Sequence, residues 1–265
     1  LSNLILEQRG PVTVATLHRP EAHNAFDHDM VLEVRDFFAG LHDADDRPHV
    51  VVLRAEGRHF CAGGDLNDMR RLGQADYAEN LEAAHELGEM FRAIRLCPAP
   101  VVARVAGGAF GGGVGIICAC DVVVADDSAF FALTEARLGL VAGVISPLVI
   151  GRIGVAKART HCLLGERISA AEAHRIGMVD ILAGDEGLDA AITSTVRSLL
   201  KGGPHALSQI KKLVEGSAAL TFAESLEFTA GMIAEARTNK EAQKALEAFF
   251  AKQPAPWITD EEWSL

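Results

Sequence analysis

No stretch of this chain is apolar for the roughly 20 residues a membrane-spanning helix needs. The run that comes nearest, Val114 to Val124, is interrupted by Asp121. The first ten residues show no basic start followed by an apolar run, so no secretion signal is expected. Positive charge is also scarce: 25 Lys and Arg stand against 36 Asp and Glu, a net charge of −11 over 265 residues. Non-specific affinity for nucleic acid comes from cations displacing counterions, so RNA and DNA are excluded as expected partners. The five cysteines are an odd number without redox or zinc spacing. They are expected to be reduced, buried thiols in a cytoplasmic protein, with no metal site. His18, His23 and His28, five residues apart, share no helix face and add no metal motif.

Three catalytic signatures are missing too. No Gly-x-Ser-x-Gly elbow surrounds any serine, and no Gly-x-x-x-x-Gly-Lys-Ser/Thr loop is present, which removes two common hydrolase and nucleotide-handling chemistries. The segment Gly107-Gly108-Ala109-Phe110-Gly111-Gly112-Gly113-Val114-Gly115 invites a dinucleotide reading, but no register of it gives Gly-x-Gly-x-x-Gly.

What is present reads as an α/β chain. Apolar runs at Leu4 to Glu7 and Val12 to Leu17 flank Arg9-Gly10-Pro11 as a hairpin, and Asp27 caps a helix through Phe38. Val50 to Leu53, Pro100 to Val105 and Val122 to Ala125 are short enough to be buried strands. The first two feed glycine-rich loops, Gly57 to Leu66 and Gly107 to Gly113, the second followed by a helix over Val114 to Cys120. Thr134 is placed to cap a short turn that Gly139 ends. Beyond Ser146 the pattern turns helical: Pro147 to Ile153, Val155 to Leu164, Ala170 to Ile176, Leu188 to Leu200, Pro204 to Val214, Phe222 to Thr238 and Lys240 to Lys252, with one strand at Met178 to Leu182. The division expected is an α/β core over 1–185 and a helical region over 186–265.

Glycines at a strand-to-helix turn let a ligand approach the backbone, and the free amides of a helix N-terminus attract negative charge. Two such loops on neighbouring strands can aim one amide each at the same oxygen, the arrangement that stabilises an enolate. Tight strand-to-helix packing without a ligand would use the same glycines.

Phe60-Cys61-Ala62-Gly63-Gly64-Asp65-Leu66 resembles the signature loop of the crotonase (enoyl-CoA hydratase/isomerase) superfamily. Arg19-Pro20, Asn24-Ala25, the Gly107 to Gly115 loop, Cys120-Asp121, Glu135 with Leu138-Gly139, Ala248-Phe249 and Pro256-Trp257 follow in the order of that family across nearly the whole chain. The resemblance implies a spiral of repeated ββα units with a helical C-terminal region that packs homotrimers, often paired into homohexamers. It implies an acyl-CoA substrate and no separate cofactor, coenzyme A being part of that substrate. Carried over, Gly64 and Gly112 supply two amides to the thioester oxygen, and Glu135 is the proton carrier. Taken alone, Glu135 would also suit an exposed helix start. The neighbours Phe130, Phe131, Leu133 and Leu138 should make its surroundings apolar and raise its pKa. Ala22, Ala62, Gly64, Asp65, Leu66 and Gly112 are expected around the substrate, with Asp65 shaping its loop. Phe249 and Lys252 match positions that reach the coenzyme A of a neighbouring subunit, although a solvated lysine explains Lys252 equally well.

The sequence departs from the two-glutamate hydratases at Gly115, where their first glutamate stands. Asp68, Glu82, His85 and Glu89, on the segment after the first loop, are candidates to replace it. The segment Leu133 to Leu140, followed by Val144-Ile145-Ser146-Pro147, is similar to hydratases of branched 3-methylglutaconyl- and isohexenylglutaconyl-CoA, which favours hydration. A delta-isomerase needing one base, and a catalytically silent acyl-CoA-binding protein, are the alternatives.

Overall fold

The computed structural model describes residues 2–44, 46–258 and 263–265. It opens with a hairpin: β1 (Leu4–Arg9) pairs antiparallel with β2 (Val12–Leu17), turning at Gly10, whose φ of 57° suits glycine. β3 (Val50–Ala55), β4 (Val101–Val105), β6 (Val122–Ala125) and β9 (Ile181–Leu182) extend this sheet in parallel, in the order β1-β2-β3-β4-β6-β9. A second sheet holds β5 (Gly108–Phe110), β7 (Phe130–Ala132) and β8 (Ile168–Ser169).

The two sheets make the repeated turn of the spiral. β4 passes through Gly107 into β5, and β6 passes into β7. After β3 the chain makes two bridges, Cys61 to Ala109 and Gly64 to Phe26, before α2 (Leu66–Leu72) and α3 (Tyr77–Leu96). The segment Gly107 to Gly113, expected to be all loop, therefore contains a strand. Three residues are too few to show a period of two.

Helices cover both faces. α1 (His28–Gly40) begins where Asp27 accepts the Met30 N–H at 3.0 Å. It buries Met30, Val31, Val34 and Phe38 against the core that also takes in Phe60, Phe131 and α4 (Gly112–Ala119). α5 (Ser146–Leu164) is continuous in hydrogen bonding but kinked at Gly154, φ 74°, so the two expected helices are its two arms. α6 (Ala170–Arg175) follows β8. α7 (Leu188–Leu200) closes the other face of the six-stranded sheet, with Leu188, Ile192 and Val196 packed on Val12, Val50, Val102 and Val124. Thus α7 joins the core in packing although composition places it in the helical region. α8 (Pro204–Ala219), α9 (Phe222–Thr238) and α10 (Lys240–Phe250) follow, and among their side chains only Ser208 is buried. α10 stops at Phe250, two residues before the expected end, and Lys252 is in the left-handed conformation, φ 56°. Phe249 and Lys252 are thus not one turn apart on a single helix.

Candidate functional site

The two glycine loops meet because adjacent strands deliver them and backbone hydrogen bonds lock them together. The Phe110 N–H donates to the Cys61 carbonyl at 2.9 Å, and the Cys61 N–H to the Gly108 carbonyl at 3.3 Å. Only glycine fits at the crossing. A Cβ on Gly63, φ 89°, would stand 2.9 Å from the Phe110 carbonyl oxygen and 3.7 Å from the Gly112 nitrogen. Gly112 is the first residue of α4, where the amide has no intrahelical acceptor.

A third loop completes the frame. Asn24, fully buried with φ 55°, accepts the Arg19 N–H at 2.8 Å and donates to the carbonyls of Glu56 and His59 at 2.7 and 2.9 Å. The Phe26 N–H donates to the Gly63 carbonyl and the Asp65 N–H to the Phe26 carbonyl, at 2.9 and 3.0 Å. Asp65 caps α2 by accepting the Asn67 N–H at 2.8 Å, and its other oxygen lies 3.2 Å from Arg19, which also reaches Asp27 at 3.1 Å and the Ala25 carbonyl. Burial alone would raise the Asp65 carboxyl, but the Asn67 amide and the Arg19 guanidinium hold it below the usual range. Asp65 is therefore a shaping group. Arg19 shares that role, and the linear sequence does not show it.

Glu135 arrives from the other side. β7 hands the chain to a 3-10 turn over Glu135–Leu138, and Gly139, φ 71°, ends it. Thr134 precedes the turn without a side-chain capping bond, contrary to the capping expected of it, because its backbone (φ −93°, ψ 1°) is in the bridge region and not in the extended conformation of a capping residue. The Gly111 N–H donates to the Ala132 carbonyl at 2.9 Å, which brings α4 beside Glu135. A Cβ on Gly111 would meet Glu135 Oε1 at 3.1 Å. The Glu135 side chain is half-buried and its Oε2 is enclosed without a hydrogen-bond partner. Burial pushes its pKa up.

A cavity of about 450 Å³ joins these parts. It is lined by Ala22, Ala62, Gly64, Asp65, Leu66, Gly112 and Glu135, all expected there, and by His23, Ala25, Asn67, Met69, Leu138 and Leu140. Phe249 and Lys252 do not line it; both are exposed. Asp68 lies in a neighbouring cavity and accepts the His28 N–H at 2.8 Å. Glu82, His85 and Glu89 line a separate depression with Arg35. None of these four reaches the wall around Glu135, since the helices that carry them turn these side chains toward α1 and solvent. At Gly115 an added Cβ would collide with Ile145 Cγ2 at 2.3 Å.

Among the described residues, no group of three or more His, Cys, Asp or Glu side chains could hold a metal. Burial pushes Cys61 and Cys118 up to about 12 and Cys97 up to about 11, leaving these thiols inert. Among the described residues no helix is long and apolar enough to cross a membrane.

Comparison with known proteins agrees over nearly the full length. A family model described as enoyl-CoA hydratase/isomerase matches residues 7–260. The short-chain-enoyl-CoA hydratase of Clostridium acetobutylicum is 28% identical over 255 residues, 96% of each chain. Enoyl-CoA hydratase ACTT6 of Alternaria alternata is 33% identical over 210 residues, 79% of this chain and 68% of that one. Among solved structures, an enoyl-CoA hydratase from Shewanella pealeana superposes with TM-score 0.91 at 33% identity over 96% of both chains. AtuE of Pseudomonas aeruginosa superposes with TM-score 0.92 at 32% identity over 97% of this chain and 100% of that one.

Proposed function

The chain belongs to the enoyl-CoA hydratase/isomerase family, and from that premise we propose that it adds water across the C2=C3 bond of an uncharged enoyl-CoA with Glu135 as its only acid-base group. The observation that carries this reading is the placement of Glu135 in one cavity with Gly64 and Gly112, half-buried and with Oε2 unpartnered.

The thioester oxygen is to sit between the Gly64 and Gly112 amides. Ionised Glu135 takes a proton from water as the water oxygen bonds to C3. The electrons of the double bond move onto the thioester as an enolate, which the two N–H groups stabilise; losing one such donor typically costs about 3 kcal/mol. Protonated Glu135 then delivers its proton to C2 and is restored. Burial helps the first half, because a carboxylate with a raised pKa is the stronger base toward water. Hydrogen ends on C2 and hydroxyl on C3, and no cofactor beyond the substrate's own coenzyme A takes part.

An unpartnered carboxylate oxygen in an apolar enclosure costs stability, which argues against a silent binding protein. The acyl group is read as uncharged because, among the described residues, no Lys or Arg lines the cavity, and Glu135 and Asp65 would repel a distal carboxylate. That weighs against the carboxylated glutaconyl substrates suggested by sequence similarity. One observation favours delta-isomerisation as a second reading: with Gly115 walled in by Ile145 and Phe91 and Asp65 held by Arg19, Glu135 is the one carboxylate left free among the described residues that line the cavity, and one suffices to carry a proton between carbons.

Straight, branched and carboxylated enoyl-CoAs incubated with the protein in heavy-oxygen water separate the readings. Label in the product of an uncharged substrate supports hydration. A moved double bond without label replaces it with isomerisation, and no reaction with any of them contradicts both.

Assembly follows the same reading. α8, α9 and α10 expose Phe222, Leu226, Ile233, Phe249 and Phe250, with a groove of about 660 Å³ between α8 and α9. Such a face is costly in water, and we read it as covered by other copies in a homotrimer or homohexamer, where Phe249 and Lys252 approach a neighbour's coenzyme A. A monodisperse monomer in light scattering at micromolar concentration contradicts this.

A further inference from the structure

β5 is held to the first glycine loop by hydrogen bonds of two kinds. The Phe110 N–H donates to the Cys61 carbonyl and the Cys61 N–H to the Gly108 carbonyl, the two bonds a parallel ladder makes around Ala109. The next rung of that ladder would run from the Gly108 N–H to the His59 carbonyl. Instead, that carbonyl accepts the Asn24 side chain at 2.9 Å, and the Gly108 N–H donates to Nδ1 of the His59 ring, 3.1 Å away. A side chain stands in for a backbone acceptor at the point where the two loops part.

The bond fixes the state of the ring. An imidazole nitrogen that accepts an N–H carries no proton, so His59 is neutral with its hydrogen on Nε2. Its surroundings favour that state: burial disfavours the charged ring and pushes its pKa below the usual histidine value, and the charged and titratable groups acting on it, His23, Arg58 and Arg167, are all basic. Glu56, the carboxylate nearest in sequence, pairs with His18 at 2.6 Å. Aromatic neighbours hold the ring in place. The His23, Phe110 and Phe130 rings stand 5.2, 5.9 and 5.9 Å from it, each close to perpendicular, and the Arg167 guanidinium lies 3.5 Å over Phe130.

Gly108 matters because β5 is short. The strand ends at Phe110, and Gly111 leads into Gly112 at the head of α4. Without the His59 bond, β5 meets the first loop through the Cys61 bonds, about which it can pivot, and a pivot there carries the Gly112 amide with it. We propose that neutral His59 is a positioning residue of the oxyanion hole: its Nδ1 holds Gly108, and through β5 the Gly112 amide, in line with Gly64, and protonation of the ring releases that alignment. The inference rests on the reading of Gly64 and Gly112 as the donors to the thioester oxygen. His59 does not line the cavity, so it acts through these amides and not on the reacting carbons.

The test reads the oxyanion bonds themselves. In the infrared difference spectrum of bound butyryl-CoA carrying carbon-13 at the thioester carbon, donors on the oxygen move the carbonyl stretch below its value in free butyryl-CoA. Wild type at about pH 8 should show the shifted band, with about half of the shift disappearing as pH falls below about 6 and an imidazole gains its proton. His59→Leu keeps bulk and removes the acceptor. Its shift should be about half the wild-type value at every pH, the Gly64 donor remaining; kcat on an uncharged enoyl-CoA should fall about tenfold to a hundredfold, with butyryl-CoA affinity changed by less than about threefold. His59→Asn places an amide oxygen near the position of Nδ1 and does not titrate, so it should keep the full shift at every pH and hold kcat within about threefold of wild type. If His59→Leu does not fold, the wild-type and asparagine pH series decide alone. A full shift in His59→Leu, a wild-type band that does not move with pH, or a pH response that persists in His59→Asn overturns the role of His59 and leaves the oxyanion reading standing. A bound band at the free position in wild type at every pH removes that reading, and the positioning role with it.

Discussion

A Cβ built on Gly115 would lie 2.3 Å from Cγ2 of Ile145 and 3.0 Å from the Phe91 ring, so the place where two-glutamate hydratases carry their first carboxylate is solid core in this chain. Gly115 sits mid-way along α4 with every neighbour in that helix from Gly113 to Ala119 buried.

The missing carboxylate therefore cannot be restored by one substitution. Gly115→Glu should overpack the core and place a charge against Ile145 and Phe91, lowering the unfolding midpoint in urea by an amount equivalent to about 3 kcal/mol or more, with no gain in hydration. A stable variant with increased turnover would show that the site is open after all. Gly115→Ala alone should cost about 1–3 kcal/mol, since Ile145 has to move before a methyl fits.

Glu135 also predicts a pH-dependent stability difference. Burial raises its folded-state pKa above the unfolded value, so the native protein favours the protonated form. Stability linked to that proton is fully present below the unfolded pKa, near 4.3, and is lost as pH rises through the raised folded pKa. Glu135→Gln removes the dependence. Its melting temperature should exceed wild type at neutral pH, and the difference should shrink toward zero as pH falls below about 4. Thermal melts across pH check this; a difference that grows on acidification means that Glu135 is stabilised as the ion. The same raised pKa places the acid limb of wild-type kcat/KM above the range of an exposed glutamate.

Arg19 and Asp65 hold two loops in register without facing the reacting carbons. Asp65→Asn keeps an oxygen for the Asn67 amide but loses the charge that Arg19 binds; Asp65→Ala loses both. The alanine variant should lose about 1–2 kcal/mol of stability as a lost helix cap. Because Gly64 precedes Asp65, it should also lower kcat more than it weakens acyl-CoA binding, with asparagine restoring part of kcat. Arg19→Lys should behave as a partial loss, since an ammonium cannot bridge Asp65, Asp27 and the Ala25 carbonyl as the guanidinium fork does. Equal losses in kcat and in affinity would make the pair a binding element instead.

Much of this frame is legible in the sequence where a local signal coincides with a structural need. Asp27 announces α1 because an aspartate cap and the first buried methionine fall within one turn. The bounds of α7 and α9 are read correctly because glycine or threonine precedes each periodic run. Gly154 splits the sequence reading of α5 because it interrupts the φ/ψ of the helix itself. β5 and β8 escape because three and two residues carry no period, and their pairing is set by distant partners. In the site, the residues tied to the signature loops line one cavity. Asp68, Glu82, His85 and Glu89 line others, because a helix shows from sequence which residues share a face but not which neighbour that face meets. Met69 is silent in sequence for the same reason, and Arg19 because its partners lie up to 46 residues away.

The central claim is that Glu135 alone carries the proton while backbone amides hold the thioester. It is tested most directly by measuring kcat on an uncharged enoyl-CoA, and the affinity for its saturated analogue, in Glu135→Gln. The substitution keeps size and shape and removes the proton carrier, so kcat should fall by about two to four orders of magnitude while acyl-CoA affinity stays within about twofold. Wild-type turnover in Glu135→Gln would contradict the account and move the acid-base group elsewhere in the chain.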